Sequence, residues 1–241
     1  MYRERPSRLP GAVLWTSTGD GSGAVRPVLP DGCMDLLWSG GRLLVAGPDT
    51  HGYVPDAPPG TRYAGIRFAP GDGPAVFGVP AHELRDTRVA LDGIWAGAEV
   101  RRLAERIGAT ADPVAALEAV ALAKAPAPDP LMRAVADRLA AGWSVTATAA
   151  EAGLGTRRLH RRSLDAFGYG PKTLARILRL QRALGLVRRG MPYAEAALAA
   201  GCTDQAHLSR EMRSLAGMTL TDYASAANSD TSTSSGSRTV A

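Results

Sequence analysis

The chain is 241 residues long, 45% hydrophobic and 21% charged, with a formal net charge of +5 and two cysteines. These values describe one large or two ordinary globular domains and exclude a disordered chain or a disulfide framework. No apolar run approaches the ~18–20 residues that span a bilayer, and Met1-Tyr2-Arg3-Glu4-Arg5-Pro6 lacks a signal-peptide core, so a cytoplasmic, nucleoid-associated protein without a membrane partner is expected.

The first hundred residues read as short strands. Ala12–Trp15, Met34–Trp38 and Leu43–Ala46 are apolar runs set apart by Gly, Pro and Asp, and Arg62–Phe68 alternates polar and apolar as a half-buried strand does. Asp31-Gly32 and Gly40-Gly41 are turn dipeptides of the hairpin kind. Strands at this spacing predict a small barrel or sandwich. Ala96–Ile107 and Pro113–Lys124 are rich in Ala and Leu at helical spacing, with Asp112-Pro113 as a helix start. Residues 1–124 thus read as a strand-rich regulatory domain ending in helices, and the Pro-rich run 125–130 as a semi-rigid linker.

Residues 131–224 read as all-helical. Leu131–Ala141 is amphipathic, and Lys172–Arg189 carries Leu174, Ile177, Leu178, Leu184 and Val187 at helical spacing before Gly190-Met191-Pro192 ends it. From Ser225 the polar, low-complexity tail predicts disorder over residues 225–241. The whole is α+β: a strand-rich half followed by an all-α half. Charge divides the same way. Residues 130–224 hold 14 Arg and Lys against 7 Asp and Glu, whereas residues 1–129 hold 13 against 15. The basic surplus belongs to the helical half, as for a phosphate-binding surface joined to a nearly neutral partner.

A short pattern occurs twice in that half. Leu159 and Leu208, Arg161 and Arg210, and Gly168 and Gly217 are each 49 positions apart, while Ala149 and Ala197, and Gly153 and Gly201, are 48 apart. A repeat of this length is a duplicated supersecondary unit. Each copy has the spacing of a helix-turn-helix: a small Ala for close helix approach, a Gly for the left-handed turn, and a Leu that plugs the second helix onto the first. Thr156 is expected to cap the second helix of the first unit, and Thr203 or Asp204 that of the second. Lys172–Arg189 then bridges the two units.

On these residues the stretch 131–224 resembles the AraC/XylS transcription regulators, whose DNA-binding domain is two helix-turn-helix units joined by a long helix. Gly201, Asp204-Gln205, Leu208-Ser209-Arg210 and Gly217 carry the resemblance in the second unit. Cys202 and Leu208 stand where the family usually has Phe, Leu220 where it has Pro, and Ser163 where it has an apolar residue. Pro30-Asp31-Gly32-Cys33-Met34-Asp35-Leu36, Ala46-Gly47-Pro48 and Gly65–Gly71 look like an uncharacterised sensor-like domain of one branch. The resemblance implies a transcription activator with RNA polymerase as a partner and leaves room for a homodimer and a small-molecule effector.

The expected partner is double-stranded DNA. A helix fits the major groove, and its first turns reach base edges. In the first unit Thr156, Arg157, Arg158, His160 and Arg161 lie on or beside the reading face; in the second, Thr203, Gln205, His207, Ser209 and Arg210 do. Arg pairs bidentately with guanine and Gln with adenine. Arg158, Arg162, Lys172, Arg176, Arg179 and Arg213 would meet phosphates or solvent. An Arg-rich helix face on its own is more often a solvated surface, and only the in-phase repeat turns the balance.

In the strand-rich half, Trp15, Trp38, Tyr63 and Phe68 offer apolar walls and Arg67 a charged anchor for an effector, although aromatics of this kind more often simply form a core. Cys33 has no neighbouring Cys, Lys or His in sequence, so a structural role outweighs a reactive one. No metal-ligand spacing, phosphate-binding loop or nucleophile–base pair occurs; Gly19–Gly23 lacks the Lys-Ser/Thr of a P-loop. No cofactor and no enzyme activity are expected. The alternatives are a protein that modifies DNA or a metabolite through Cys33, and an architectural DNA binder without sequence preference.

Overall fold

The computed structural model describes residues 2–19, 27–55 and 58–231, with side chains to Ser225. Six strands form one antiparallel sheet: β1 (Tyr2–Pro6), β2 (Val13–Thr18), β3 (Met34–Ser39), β4 (Arg42–Ala46), β5 (Arg62–Phe68) and β6 (Arg88–Ala90), in the order β1-β2-β5-β3-β4-β6. The glycine pair does make a hairpin turn: Gly40 and Gly41 both have positive φ between the paired Ser39 and Arg42. Asp31-Gly32 does not join two strands. The Asp31 carboxylate accepts the Cys33 amide at 2.9 Å and shapes the approach to β3.

The sheet face carrying Leu14, Leu36, Val45, Ile66 and Phe68 is buried. Against it lie the short α1 (Gly73–Phe77) and the helices α2 (Gly97–Gly108) and α3 (Pro113–Lys124). Asp112 caps α3, accepting from Ala115 N at 3.0 Å, with Pro113 at the first helical position where no amide is needed. The chain then continues through α4 (Pro130–Ala140), α5 (Val145–Glu151), α6 (Thr156–Phe167), α7 (Pro171–Arg188), α8 (Tyr193–Ala199), α9 (Gln205–Ala216) and α10 (Leu220–Thr231). α4 to α10 share a second, separate core around Leu139, Leu159, Ile177, Leu184, Leu208 and Met212.

One expectation changes here, and three elements are added. The tail expected to be disordered from Ser225 begins inside α10, because Thr219 and Asp222 cap each other reciprocally and launch a helix through polar sequence to Thr231. Residues 232–241 lie outside the described residues, as do Asp20–Gly23 and Asp56. β1, β6 and α1 are elements that the sequence pattern did not reveal; each has six or fewer residues, too short for a clear period.

Candidate nucleic-acid interface

The two repeats are superimposable in their hydrogen bonding. In the first unit α5 and α6 meet at a turn where Leu154 N donates to Ala149 O at 2.9 Å; in the second, between α8 and α9, Cys202 N donates to Ala197 O at 2.8 Å. Gly153 and Gly201 turn with φ of 62° and 87°. Leu159 and Leu208 are fully buried plugs. α6 and α9 both end on a left-handed glycine, Gly168 and Gly217, whose amide returns to the carbonyl of Leu164 or Arg213. The second unit's Cys202 and Leu208 fill its interior in place of aromatic side chains.

The N-termini differ. Thr156 does not cap α6: it is the first helical residue, and Gly155 holds the cap position without a side-chain bond. In α9 Asp204 is the cap, accepting from His207 N at 2.6 Å. Thr203 is occupied otherwise, its amide and hydroxyl both 3.3 Å from the His207 ring nitrogen. That bond turns His207 back toward the helix start. Ser209 donates to Gln205 O at 3.0 Å, one turn back along the helix. His160 is exposed, but its ring lies so close to Gly170 that a methyl there would sit 2.7 Å away. Sequence spacing alone could not show these local bonds, since it fixes a helix face but not a rotamer.

Arg157, Arg158, Arg161, Gln205 and Arg210 are left exposed on the first turns of α6 and α9. None of the four arginines makes an ion pair with another described residue. Three arginines expected at phosphates or solvent are engaged inside the protein. Arg162 pairs with Asp129 at 2.5 Å; Arg176 binds Glu211 and Ser214; Arg179 donates to Gly201 O at 3.4 Å. The guanidinium groups on α7 thus fasten the second unit, because its acidic and carbonyl acceptors lie within their reach.

The five residues expected to line an effector pocket do not share a face of the sheet. Trp38 stands opposite Ala64, and Phe68 opposite Met34, on the side packed by helices; Phe68 meets Phe77 edge-on at 5.5 Å. Trp15, Tyr63 and Arg67 alternate to the other side, where Trp15 lies across Gly65. A strand reverses sides at every residue, which a list of aromatics ignores. On that second face Trp15 Nε1 donates to Asp35 at 2.6 Å, and Arg67 lies between Asp31 at 3.2 Å and Asp35 at 3.5 Å. Burial pushes the Asp35 carboxyl up to about 6, against the attraction of Arg67. A cleft of about 260 Å³ opens elsewhere, between Pro10, Ala69 and Pro70 on one side and Arg133, Ala136 and Leu178 on the other. None of the five residues lines it.

Cys33 sits beside this polar cluster. Burial and the Asp31 carboxylate push its thiol well up, so the neutral form dominates and a thiolate nucleophile is disfavoured. Among the described residues no group of three or more His, Cys, Asp or Glu could hold a metal ion, and no helix is long and apolar enough to cross a membrane.

Residues 148–226 match the family described as "Helix-turn-helix domain", and residues 12–90 match "Domain of unknown function (DUF6597)". No curated protein shows a significant match. Among solved structures, a protein described as "a probable AraC family transcriptional regulator" from Rhodopseudomonas palustris is 26% identical over 38% of this chain and 91% of its own, with a TM-score of 0.33. An apo form of ToxT from Vibrio cholerae is 10% identical, covers 92% of this chain and 98% of its own, and has a TM-score of 0.49. A second ToxT crystal form gives 8%, 92%, 97% and 0.47. The chain thus carries a helix-turn-helix domain over residues 148–226, preceded by a domain of unknown function over residues 12–90.

Proposed function

We propose that this protein is a sequence-specific DNA-binding regulator of transcription that reads two successive major grooves with α6 and α9. One observation carries the reading: two in-phase helix-turn-helix units each leave arginines exposed and without an ion pair among the described residues on the first turns of the second helix, Arg157 and Arg161 in one, Arg210 in the other. Grooves on one face of B-DNA recur about every 34 Å, the separation two such helices on one rigid domain would span. Arg161 and Arg210, equivalent in the repeat, are the guanine readers, and Gln205 suits adenine. Arg157 and Arg158 add base or phosphate contacts, while Thr156 opens α6, Thr203, His207 and Ser209 shape the start of α9, and His160 packs at Gly170.

In this reading residues 1–124 are a regulatory domain, 125–130 the linker and 131–224 the DNA-binding domain. Activation through RNA polymerase and a homodimer on longer operators follow from the family resemblance. A small-molecule effector would bind the Trp15–Asp35–Arg67 face of the N-terminal half or the cleft between the two halves beside Arg133.

The test is selection of duplexes by the full-length chain from fragmented genomic DNA, followed by binding over a salt series. A recovered motif with two half-sites about one helical turn apart, and affinity that falls steeply with salt, supports the proposal. Equal affinity for selected and random duplexes would support an architectural binder instead.

A further inference from the structure

Two loops of the N-terminal half run across the C-terminal helices. They are tied to each other by a two-way backbone bridge, Val28 to Tyr53, at 2.7 and 2.9 Å. The first loop lies on the bridging helix α7: Leu29 packs into the C-terminal core, Pro30 O accepts from Gln181 Nε2 at 2.6 Å, and Gly32 abuts Leu174. The second loop touches the far ends of both recognition helices. Pro48 packs on Gly168, the cap of α6, and Gly52 packs on Ala216, the last residue of α9. A methyl at Gly52 would lie 2.7 Å from the Ala216 carbonyl oxygen.

The loops are in turn anchored in the sheet. Arg88 of β6 pairs with Asp49 at 2.6 Å and lies 4.0 Å over the Tyr53 ring, while Thr50 is held by both oxygens of Asp86. The need for such a brace is local. α6 and α7 meet at Gly168-Tyr169-Gly170, and glycines on both sides of Tyr169 leave that corner free to bend. Contacts from Pro48, Ala81 and Arg85 close on Gly168.

We propose that the joined loops, residues 28–32 and 48–53, are a gauge that fixes the separation of α6 and α9, so that the N-terminal half determines which half-site spacing the protein accepts. This rests on the DNA-reading function proposed above. α7 meets the first unit through the glycine corner and the shared core, and the loops add a clamp from outside that core. The loops grip that corner, the middle of α7 and the end of α9 at once.

The experiment uses the full-length chain and a duplex that it selects from a random pool, with one or two base pairs then inserted between the half-sites. The unaltered protein should lose roughly tenfold in affinity per insertion, the worth of one good base contact. Gly52→Leu, which must push the loop off Ala216, and Arg88→Met, which frees the loop from the sheet, should bind the selected duplex within about threefold and flatten the insertion penalty to a similar factor. Folded variants that keep the wild-type spacing profile overturn the gauge. Spin labels placed at Glu151 and Glu195 give a reading that needs no loop variant: one narrow distance in the free protein is expected, and a broad or double one overturns the proposal. If the unaltered chain selects no duplex, the DNA-reading function fails while the label distances still judge the brace.

Discussion

Arg176 on α7 holds Glu211 on α9, with Nε 2.9 Å from Oε2, and its Nη2 reaches Ser214 one turn further on. Arg179 adds a bond to the turn glycine of the same unit. The second reading unit is therefore fastened to the bridge by polar side chains, whereas the first is joined through the glycine corner and the shared core and is buttressed from outside the helical half. The basic surplus of residues 130–224 is partly engaged within the protein, and the exposed remainder includes Arg157, Arg158 and Arg161 on α6 and Arg210 and Arg213 on α9, with Lys172, Arg188 and Arg189 at the two ends of α7.

That remainder should dominate DNA affinity. Each phosphate neutralised releases condensed counterions, so a log–log plot of affinity against salt should be linear and steep. Replacing Arg161 or Arg210 with Ala should cost ~1–3 kcal/mol at a guanine and relax the preference there. Footprints of both variants identical to the wild type would place the reading face elsewhere.

The bridge should be intolerant of a break. Arg179→Pro removes a backbone hydrogen bond in the middle of α7 and clashes with the preceding turn, at about 3 kcal/mol or more. It also deletes the bond to Gly201. Specific binding should fall far more than binding to random duplex, measured side by side by fluorescence anisotropy.

Ser163 stands fully buried in α6, and its hydroxyl has no hydrogen-bond partner among the described residues. Desolvating such a group is costly, so Ser163→Ala should raise stability by about 1 kcal/mol. Urea unfolding at constant slope would register this as a higher midpoint. A lower midpoint would show that the hydroxyl contributes to stability.

Asp35 predicts a pH dependence with a defined sign. Its folded value of about 6 lies above the ordinary 3.8, so the folded state holds the proton more tightly. Stability relative to Asp35→Asn is then greatest below about pH 4 and declines as pH rises through 6, by up to about 3 kcal/mol. Thermal melts of both proteins from pH 4 to 7 should therefore diverge, with the Asn variant gaining. Parallel curves would place the Asp35 carboxyl at its ordinary value.

The Cys33 thiol should be slow to react. With its pKa pushed up, little thiolate exists at neutral pH, and a maleimide or disulfide reagent should label it far more slowly than a free thiol, speeding up on denaturation. Labelling as fast as a model thiol would revive covalent chemistry at this residue.

The helical half was legible because its signals are local. A 48–49-residue repeat, an Ala–Gly–Leu spacing and capping residues each act within a few turns of chain, and α4 and α7 fall within one residue of their expected bounds. Where the signal was a rotamer, it was not legible. Thr203, His207 and Ser209 are spoken for by bonds at the start of their own helix, which compete with any reach toward DNA.

In the strand half the sequence determined that strands exist, and the tertiary structure decided which faces they share. Composition offers Trp15, Trp38, Tyr63, Arg67 and Phe68 as equals. Pairing register sends Trp38 and Phe68 to the helix-packed side and gathers Trp15 and Arg67 with Asp31 and Asp35, residues separated by up to 52 positions. The contact of Gly52 with Ala216 spans a still longer stretch of chain. Local propensity can be read from neighbours along the chain, but such contacts form only when both hydrophobic cores close and fix the backbone on either side.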